Sequence, residues 1–462
     1  MRINQHLNKL LCLFLAVSYF SVAATPNMVS ENDSLPQKEI IKKGISFGPL
    51  PVVAFDQDKG FQYGGLLNLF DYGDGSYYPH PRQQWYIEAS VYTKGTQQYF
   101  LTYDTKHLIP NIRMSLAATC MYDKAMDFYG FNGYQAWYDY ENQNYWKKQK
   151  DKTGIQPEYM TAFYRVQRLA IAGKADFVGN IWKKKLFWQA SYYFSWIKYS
   201  SIDRDKINKG RDSVEMFHGE TLYDKYINWG IISAEEKKGG ITSAVKVGIL
   251  YDTRNFEAAP QKGIWAEANI TLAPHFLGTT HAYARYMAIF RHYVPIVKER
   301  LVFAYRLNYQ GSIGTLPYYI MPVFSTIGRE YDRDGIGGYR TVRGIMRDRV
   351  QGLDVGFFNA EFRWKMVSFP LWKQNIYLGL NAFLDGGIVT RKYDITFGGD
   401  ADMMVEYNKY IDTSFSDKLH LAAGGGFRIA INQNFIIAID YAVPLDHQDG
   451  KGSLYINTGF LF

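Results

Sequence analysis

The sequence predicts an all-β protein, namely a closed antiparallel transmembrane β-barrel of about sixteen strands with one long extracellular loop inserted into its lumen. Three observations predict this fold. Polar and apolar residues alternate with period two, the composition is rich in aromatic residues yet hydrophilic on average, and long and short connections follow one another in a regular order.

The alternation is clearest between residues 355 and 366 and is repeated between residues 376 and 385. In an extended strand, one face of each segment is polar and the other is apolar. A soluble sandwich has the same period, but a membrane barrel needs it on strand after strand because no sheet edge can face lipid. The polar faces comprise Asn359, Glu361, Arg363, Lys365, Tyr377, Asn381 and Asp385, and the apolar faces comprise Phe358, Ala360, Phe362, Trp364, Met366, Ile376, Leu378, Leu380, Ala382 and Leu384.

The composition favours a barrel over a helical membrane protein. Aromatic residues make up 17% of the 462 residues, including 38 Tyr and 10 Trp, while the mean hydropathy is −0.26. Aromatic girdles and a polar lumen produce this combination. Beyond the N-terminal region, no segment has the roughly 18 consecutive apolar residues of a membrane-spanning helix. The formal charge of +8 on so long a chain does not indicate a nucleic-acid partner.

The N-terminal segment has the pattern of a secretory signal peptide. Arg2 and Lys9 precede an apolar run, and small residues at 21–24 form a cleavage site. Cys12 lies near the start of the apolar run without small residues before it, which disfavours lipidation there. Cys120 is then the only cysteine of the mature chain, so we expect no internal disulfide. The predicted organisation is a signal peptide at 1–24, a short periplasmic tether at 25–43 and an outer-membrane barrel at 44–462.

Turn residues separate the alternating segments, and these segments are the predicted strands. The four longest connections, at 123–159, 200–241, 313–352 and 389–417, all follow odd-numbered strands. Even-numbered strands are followed by short turns, such as Pro110-Asn111, 294–300 and Asn432-Gln433. With a periplasmic N-terminus, the long loops are extracellular. The strands are predicted at 45–55, 61–71, 83–94, 97–107, 111–122, 160–176, 182–199, 242–254, 262–273, 281–294, 299–312, 353–367, 374–388, 418–431, 433–443 and 453–462.

Several motifs in the second half of the chain together resemble the BamA/TamA superfamily of outer-membrane barrels, the bacterial surface antigen type. The resemblance implies a factor that assists insertion or translocation of outer-membrane proteins or lipids. This chain is too short to hold the repeated periplasmic POTRA modules of that family, which suggests an accessory subunit. The motifs are Tyr339-Arg-Thr-Val-Arg-Gly-Ile345, similar to the VRGF loop motif, Ala360-Glu-Phe-Arg363, Phe383-Leu-Asp-Gly-Gly387, Tyr251-Asp-Thr-Arg-Asn255 and the final segment 455–462.

The first candidate site is a lumen clamp. Strand parity places Glu361 and Asp385 on the lumen side of neighbouring strands, and the resemblance implies that Arg343 reaches both carboxylates. Gly344 would allow the loop to approach the barrel wall closely. The alternative is that Arg343 is a solvated loop arginine. Ile345 departs from the family, which usually has an aromatic residue there, so no ring-stacking role is expected.

Two further sites are predicted. The resemblance implies a periplasmic turn between two barrel strands, carried by Asp252, Arg254, Pro260 and Gly263. The second is a lateral seam between the first and last strands. Proline removes a ladder donor, so Pro49 and Pro51 weaken one edge of the first strand. If that edge faces the last strand, the seam is weak. If it faces the second strand, or if pairing starts only at Val52, the prolines are ordinary strand-entry residues.

The last strand carries the other half of the candidate seam, Phe460 and Phe462. Leu454 and Ile456 share their face in a continuous strand. A final aromatic residue then suits an interfacial anchor and, by resemblance, recognition by the barrel-assembly machinery.

We find no catalytic signature and expect no enzymatic activity, no cofactor and no metal. The run Gly424-Gly425-Gly426 lacks the Lys-Ser/Thr of a phosphate loop and is better explained by close packing within a strand. The expected partners are outer-membrane lipids and outer-membrane lipoproteins or other assembly components. The functional alternatives are a passive pore or receptor that uses its extracellular loops, and an outer-membrane hydrolase, for which no Ser-His motif is present.

Overall fold

The computed structural model describes residues 43–56, 59–76, 81–257, 259–324, 335–371, 374–431 and 435–462. Within these residues the chain forms sixteen antiparallel strands that close into one barrel, in which each strand pairs with its sequence neighbours and the last pairs with the first. The predicted fold class is therefore confirmed. The predicted signal peptide, most of the tether and the Asn432-Gln433 turn lie outside the described residues. The strands are β1 (Ile45–Asp56), β2 (Gly60–Asp71), β3 (Gln83–Tyr92), β4 (Thr96–Ile109), β5 (Ile112–Asp127), β6 (Arg165–Trp182), β7 (Leu186–Ser200), β8 (Gly239–Asp252), β9 (Gly263–Ala273), β10 (Tyr283–Val297), β11 (Leu301–Ile313), β12 (Asp354–Leu371), β13 (Gln374–Arg391), β14 (His420–Ile431), β15 (Phe435–Pro444) and β16 (Ser453–Thr458).

Alternation along the strands separates an apolar outer face from a polar lumen. Side chains such as Phe47 and Val247 point outward and are 70% and 57% exposed, whereas Asn359 and Asp385 point inward and are fully buried. A barrel in lipid requires this arrangement, since every backbone group pairs within the sheet and the outer band meets hydrocarbon. The alternation of inward and outward side chains predicted for residues 355–366 holds up to Lys365, where a bulge shifts the register between β12 and β13.

Some predicted boundaries were wrong. β6 begins at Arg165 instead of residue 160, because residues 157–164 form two short 3-10 turns before the strand. β10 extends to Val297, which shortens the predicted 294–300 turn. β16 ends at Thr458 and does not continue to Phe462, because Gly459 adopts a φ of +84° and redirects the chain.

The four longest connections follow β5, β7, β11 and β13, as predicted, so they emerge at the same end of the barrel. We call this end the long-loop end and the opposite end the short-turn end. Asp139, Asp203 and Asp400 cap three loop helices, and Thr221 forms a capping box with Asp224 in the fourth. None of the helices in the described part of the chain is long and apolar enough to cross a membrane. The helices are α1 (Tyr140–Lys148), α2 (Arg204–Asn208), α3 (Leu222–Asn228) and α4 (Ala401–Tyr410).

The long loops pack against one another in an aromatic cluster that covers the long-loop end, which we call the dome. Its core is a set of edge-to-face and tilted ring contacts, including Phe131 against Tyr226 at 5.3 Å and Trp229 against Tyr407 at 5.6 Å between ring centroids. Burial of so many rings stabilises loops that would otherwise be mobile. The dome rings include Phe128, Phe131, Phe163, Tyr164, Phe217, Tyr223, Tyr226, Trp229, Tyr318, Tyr407 and Tyr410.

Candidate functional site in the barrel lumen

The loop between β11 and β12 folds back into the lumen. We call its described part, residues 335–353, the inserted loop. Val342, Arg343, Ile345 and Arg349 within it have no solvent-exposed surface. Its apolar residues pack on the lumen side of β12, β13 and β14, and Ile345 lies in this cluster instead of stacking with a ring. The lumen is therefore filled at this level by a loop that is anchored through both apolar and charged contacts.

Arg343 lies among carboxylates from neighbouring strands. Its Nε donates to Asp385 Oδ2 at 2.8 Å and a terminal nitrogen donates to Asp385 Oδ1 at 3.0 Å, which makes a two-pronged contact. The same terminal nitrogen lies 3.1 Å from Glu361 Oε2. The guanidinium carbon also lies 3.4 Å from the centroid of the Phe383 ring. Such paired, charge-assisted bonds orient a guanidinium strongly. The structure thus brings the three predicted clamp residues together, and their role as a clamp remains a prediction.

Gly344 lies against β15. Its φ is +93°, and a Cβ atom there would lie 2.9 Å from Ala442 Cβ and 3.1 Å from the backbone nitrogen of Val443. A side chain would therefore be strained by both the backbone conformation and the lack of space. The backbone N–H of Gly344 donates to the hydroxyl of Tyr455 on β16 at 3.2 Å. The glycine places the loop within hydrogen-bonding distance of the last strand.

A third carboxylate was missed by the sequence analysis. Asp440 on β15 lies 3.5 Å from Arg343 and also accepts two bonds from Arg428 of β14, at 2.8 and 2.9 Å. Glu361 is likewise shared with Arg363. The cluster balances the charges of its three arginines and three carboxylates, all buried, which is the condition under which buried charges are tolerated. The sequence did carry a signal for this carboxylate, because Asp440 is an isolated charged residue in the otherwise apolar β15.

The inserted loop reaches the opposite wall of the barrel through two further arginines. Arg347 lies 3.8 Å from Asp123 and 3.5 Å from Asp127, both near the end of β5. Arg349 is fully buried and donates to the backbone oxygens of Gly133 and Ala136 in the loop after β5. Sequence reasoning did not find these contacts. The loop is therefore fixed to both sides of the lumen.

The predicted turn motif lies between β8 and β9 at the short-turn end. Arg254 donates to Asp252 through Nε and a terminal nitrogen, each at 3.0 Å, and its guanidinium lies 4.2 Å from the Trp265 ring. Gly263 has a φ of +108°, and a Cβ atom there would meet the Thr253 carbonyl at 2.3 Å. Pro260 is buried beside the turn. The structure brings Asp252 and Arg254 together, and the periplasmic side of this turn remains a prediction.

The junction between β1 and β16 is short. Among the described residues it includes the pairs Phe55–Ile456 and Asp56–Tyr455, at the long-loop end, whereas β1 pairs with β2 over its full length. Residues 45–54 of β1 have no pairing with the described residues of β16. The unpaired part of the seam therefore lies toward the short-turn end.

The backbone edge that contains the prolines faces β16. In β2, the carbonyl oxygens of Phe61 and Asp71 accept hydrogen bonds from the residues that flank β3. The backbone groups of the odd-numbered residues of β2 therefore point toward β3, and those of the even-numbered residues point toward β1. Their partners on β1 are also even-numbered, which leaves the odd-numbered Pro49 and Pro51 directed toward β16. This orientation agrees with the seam alternative, and the role of this edge as a lateral seam remains a prediction.

Phe460 and Phe462 do not share an outer face with Leu454. After Gly459 the chain turns into the lumen, where Phe462 is 7% exposed and packs against Tyr293 at 6.2 Å between ring centroids. Arg363 donates to the backbone oxygen of Phe462 at 2.8 Å. The expectation of an interfacial anchor at Phe462 was therefore wrong, because positive φ at residue 459 reverses the direction of the segment.

Among the described residues, no group of three or more His, Cys, Asp or Glu side chains has the arrangement of a metal site. Gly424 and Gly426 lie within β14, where a Cβ atom would meet the backbone of β15 at 2.3 and 2.5 Å. Close strand packing accounts for this glycine run. The site as a whole is a buried cluster of charged residues in the lumen of a closed barrel, held between the inserted loop and the barrel wall.

Comparisons with known proteins identify the family. The model of the Omp85 superfamily domain matches residues 93–462, so the chain belongs to the Omp85 superfamily. No curated protein matches the sequence. Among solved structures, BamA from Haemophilus ducreyi, solved lacking POTRA domains 1–3, is similar with a TM-score of 0.52 and 13% identity, over 91% of this chain and 71% of that one. CdiB from Escherichia coli is similar with a TM-score of 0.51 and 10% identity, over 91% of this chain and 64% of that one. At these identities the likeness establishes the fold.

Proposed function

We propose that this chain is an outer-membrane barrel that assists the insertion or translocation of outer-membrane proteins or lipids, as a non-enzymatic accessory subunit that works with lipoproteins or other assembly components. The observation that carries the proposal is the seam. In the described part of the chain two residue pairs join β1 to β16 and residues 45–54 of β1 are unpaired on this edge, while the lumen behind them is filled by the inserted loop. Membership of the Omp85 superfamily supports an assembly or translocation role in general.

The seam is weak enough to open without unfolding the barrel. Each backbone hydrogen bond contributes about 0.5–1.5 kcal/mol net, so the two residue pairs among the described residues stabilise closure by only a few such increments. Its unpaired part lies beside an apolar outer face, where Ile45 is 72% and Phe47 is 70% exposed. A client or lipid leaving the lumen side at this point enters hydrocarbon directly.

The two prolines restrict how the seam works. An added strand gains affinity from main-chain hydrogen bonds to an exposed sheet edge. On β1 that edge lacks the N–H donors of Pro49 and Pro51, so it is a poor template for a client strand. The geometry therefore favours passage through the seam over growth of a client sheet on β1.

A passive pore is the alternative from the sequence. The inserted loop, held on both walls by Arg343 and Arg347, and the dome above it weigh against an open lumen. A receptor that uses its long loops is compatible with both features, since it needs no route through the barrel.

A reversible lock on the seam tests the proposal. Ala54 and Asn457 are the next residues along the observed β1–β16 register, so we place cysteines there in a Cys120→Ser background. Purified protein in liposomes is assayed for the folding rate of a purified outer-membrane barrel client and for exchange of a fluorescent phospholipid between leaflets. We expect the reduced protein to accelerate at least one process and the oxidised protein to lose that acceleration.

The controls are the two single-cysteine variants and restoration of activity by reductant. Equal acceleration by the oxidised and reduced forms contradicts the seam mechanism. No acceleration of either process by the reduced protein contradicts the proposed function.

A further inference from the structure

A cavity of about 520 Å³ lies at the long-loop end and is unused by the seam mechanism; the inserted loop borders it at Gly344 and Met346, while Arg343, Glu361 and Asp385 do not line it. Its walls come from α1 with the segment that follows it, and from the turn that leads into β16. Tyr140 of α1 stacks on His447 at 5.3 Å between ring centroids, which holds the two walls together. A cavity of this size accommodates a small ligand.

Positive charge predominates in the cavity. In the described part of the chain, the lining includes six cationic side chains and two carboxylates. One of the carboxylates, Asp127, is already paired with Arg165 at 2.5 Å and with Arg347 at 3.5 Å. The cationic side chains are Lys94, Lys147, Lys152, Arg165, Arg211 and Lys451.

Lys147 and Lys451 both line this cavity, and both residues are exposed. Among the described residues, neither ammonium forms an ion pair with a carboxylate. Partial desolvation and the nearby Lys451 lower the pKa of Lys147 below its ordinary value. Placing like charges together destabilises the empty site, and an anion bound between them relieves that repulsion.

Aromatic rings form the rest of the wall. They include the half-buried Tyr138, Tyr140 and Trp146, together with the buried Tyr129 and Tyr164. Aromatic side chains combine an apolar face with a polar edge, which suits a ligand whose own faces are apolar and whose rim is hydroxylated. A sugar ring has this character, and a phosphate on it supplies the anion.

We propose that this cavity binds a phosphorylated saccharide. Its position suggests one source, because the cavity adjoins the first residues of β16 and lies level with the strand ends, where lipid headgroups are found. The phosphorylated sugar headgroup of a glycolipid and a soluble sugar phosphate share the recognised chemistry. This binding is separate from transport through the seam.

Native mass spectrometry of the purified barrel in detergent tests the site. The probes are diphosphorylated lipid A, glucosamine 1-phosphate and phosphatidylglycerol. We expect retention of lipid A, and a loss of affinity of about tenfold or more for the double variant Lys147→Glu/Lys451→Glu, since two attractive charges become repulsive. If the protein retains glucosamine 1-phosphate as well as lipid A, a soluble sugar phosphate is sufficient for binding. If it retains lipid A alone, the ligand is the headgroup of a glycolipid.

Lys148→Glu is the matched control, because Lys148 lies on the same helix and is exposed like Lys147, but does not line the cavity. It should leave binding unchanged. Unaltered heat-modifiability on gels shows that each variant is folded. The proposal is overturned if wild-type protein retains neither saccharide probe, if phosphatidylglycerol binds as tightly as lipid A, or if Lys148→Glu weakens binding as much as the double variant. The measurement involves no transport, so its failure is distinct from failure of the proposed function.

Discussion

At the scale of single residues, Arg343 has the most consequential contacts. It is fully buried and joins the inserted loop, which comes from the long-loop end, to carboxylates on β12, β13 and β15. A buried ion pair adds little net stability over an apolar replacement, but removal of one partner leaves an uncompensated charge. The arginine therefore specifies where the loop lies more than it adds to total stability.

Replacing Arg343 by alanine should leave Asp385 without its two-pronged partner and free the inserted loop. We expect a loss of about 3–5 kcal/mol in unfolding free energy, as for other broken buried pairs. The midpoint of heat-modifiability and the rate of proteolysis within 335–353 measure this effect. Arg343→Lys should fall between wild type and Arg343→Ala, because it keeps the charge and loses the second prong.

Arg211→Ala is the control, since Arg211 is an exposed arginine in a different loop. Wild-type heat-modifiability and loop protection in Arg343→Ala would contradict the clamp.

The sequence predicted part of this site, and the reason is local. Glu361 and Asp385 are found by strand parity, because period-two alternation fixes which face each residue occupies. The contact of Arg347 with Asp127 joins residues 220 positions apart. No local pattern encodes such a contact, since it depends on how the loop crosses the lumen. Asp440 is an intermediate case. The alternation along β15 predicts which face of the strand this residue occupies, but it does not predict which side chains of other elements lie beside it.

At the scale of elements, the prolines of β1 are related to the path of the chain after β16. If the observed β1–β16 register continued, Pro51 and Pro49 would face Phe460 and Phe462. Neither proline can donate to the opposing carbonyl. The backbone oxygen of Phe462 instead accepts from Arg363 inside the lumen. The prolines therefore account for the departure of the final segment from the sheet at Gly459.

Restoring the donors should extend the seam. In Pro49→Ala/Pro51→Ala, we expect the final segment to pair with β1 and the amides of Phe47 and Val53 to exchange more slowly, with each restored bond worth about 1 kcal/mol. The exchange rates of these amides are measured by hydrogen-exchange mass spectrometry on peptides from β1. Val53→Ala, on the same edge with its N–H intact, is the control. Exchange as fast as in wild type would show that the prolines do not limit pairing.

The dome depends on contacts between loops. Trp229, in the loop after β7, is 1% exposed and lies 5.6 Å from Tyr407 and 6.1 Å from Tyr410 of α4, measured between ring centroids. Removing this ring leaves a cavity between two loops that are also joined by the Lys225–Glu406 ion pair at 2.6 Å and by the hydrogen bond from the Gly398 N–H to the Trp229 carbonyl at 2.8 Å.

Trp229→Ala should loosen the packing of α4 in the dome while the barrel stays intact. Substitution of a buried tryptophan costs about 3–5 kcal/mol, here confined to loop packing. Limited proteolysis should cut between residues 392 and 419 faster than in wild type. Trp137→Ala removes a ring that is 48% exposed and should leave the rate unchanged. Equal protection of α4 in wild type and Trp229→Ala would show that the dome is held by other contacts.

At the scale of the whole molecule, strand number and loop order followed from the sequence because both are consequences of a repeated pattern. The closed lumen did not follow so directly. Long loops were predicted at one end, but their mutual packing into the dome depends on rings from four different loops meeting in space. Helix and strand patterns describe each segment separately, and contacts between segments far apart in sequence require the three-dimensional arrangement.

The dome and the inserted loop close the same passage at successive levels, so they act in series. A route through the lumen must pass both the Arg343 cluster and the aromatic layer above it. Loosening one level leaves the other in place. We therefore expect a small, flickering conductance from wild-type protein in planar bilayers and only modest increases for Arg343→Ala or Trp229→Ala alone.

The double variant Arg343→Ala/Trp229→Ala should conduct far more than the sum of the single variants, because resistances in series are dominated by whichever barrier remains. Arg211→Ala/Trp137→Ala, which changes the same residue types at exposed positions, should conduct as wild type does. A large and steady wild-type conductance would instead mean that the lumen is open in a bilayer, and the passive pore would replace the seam as the working part of this barrel.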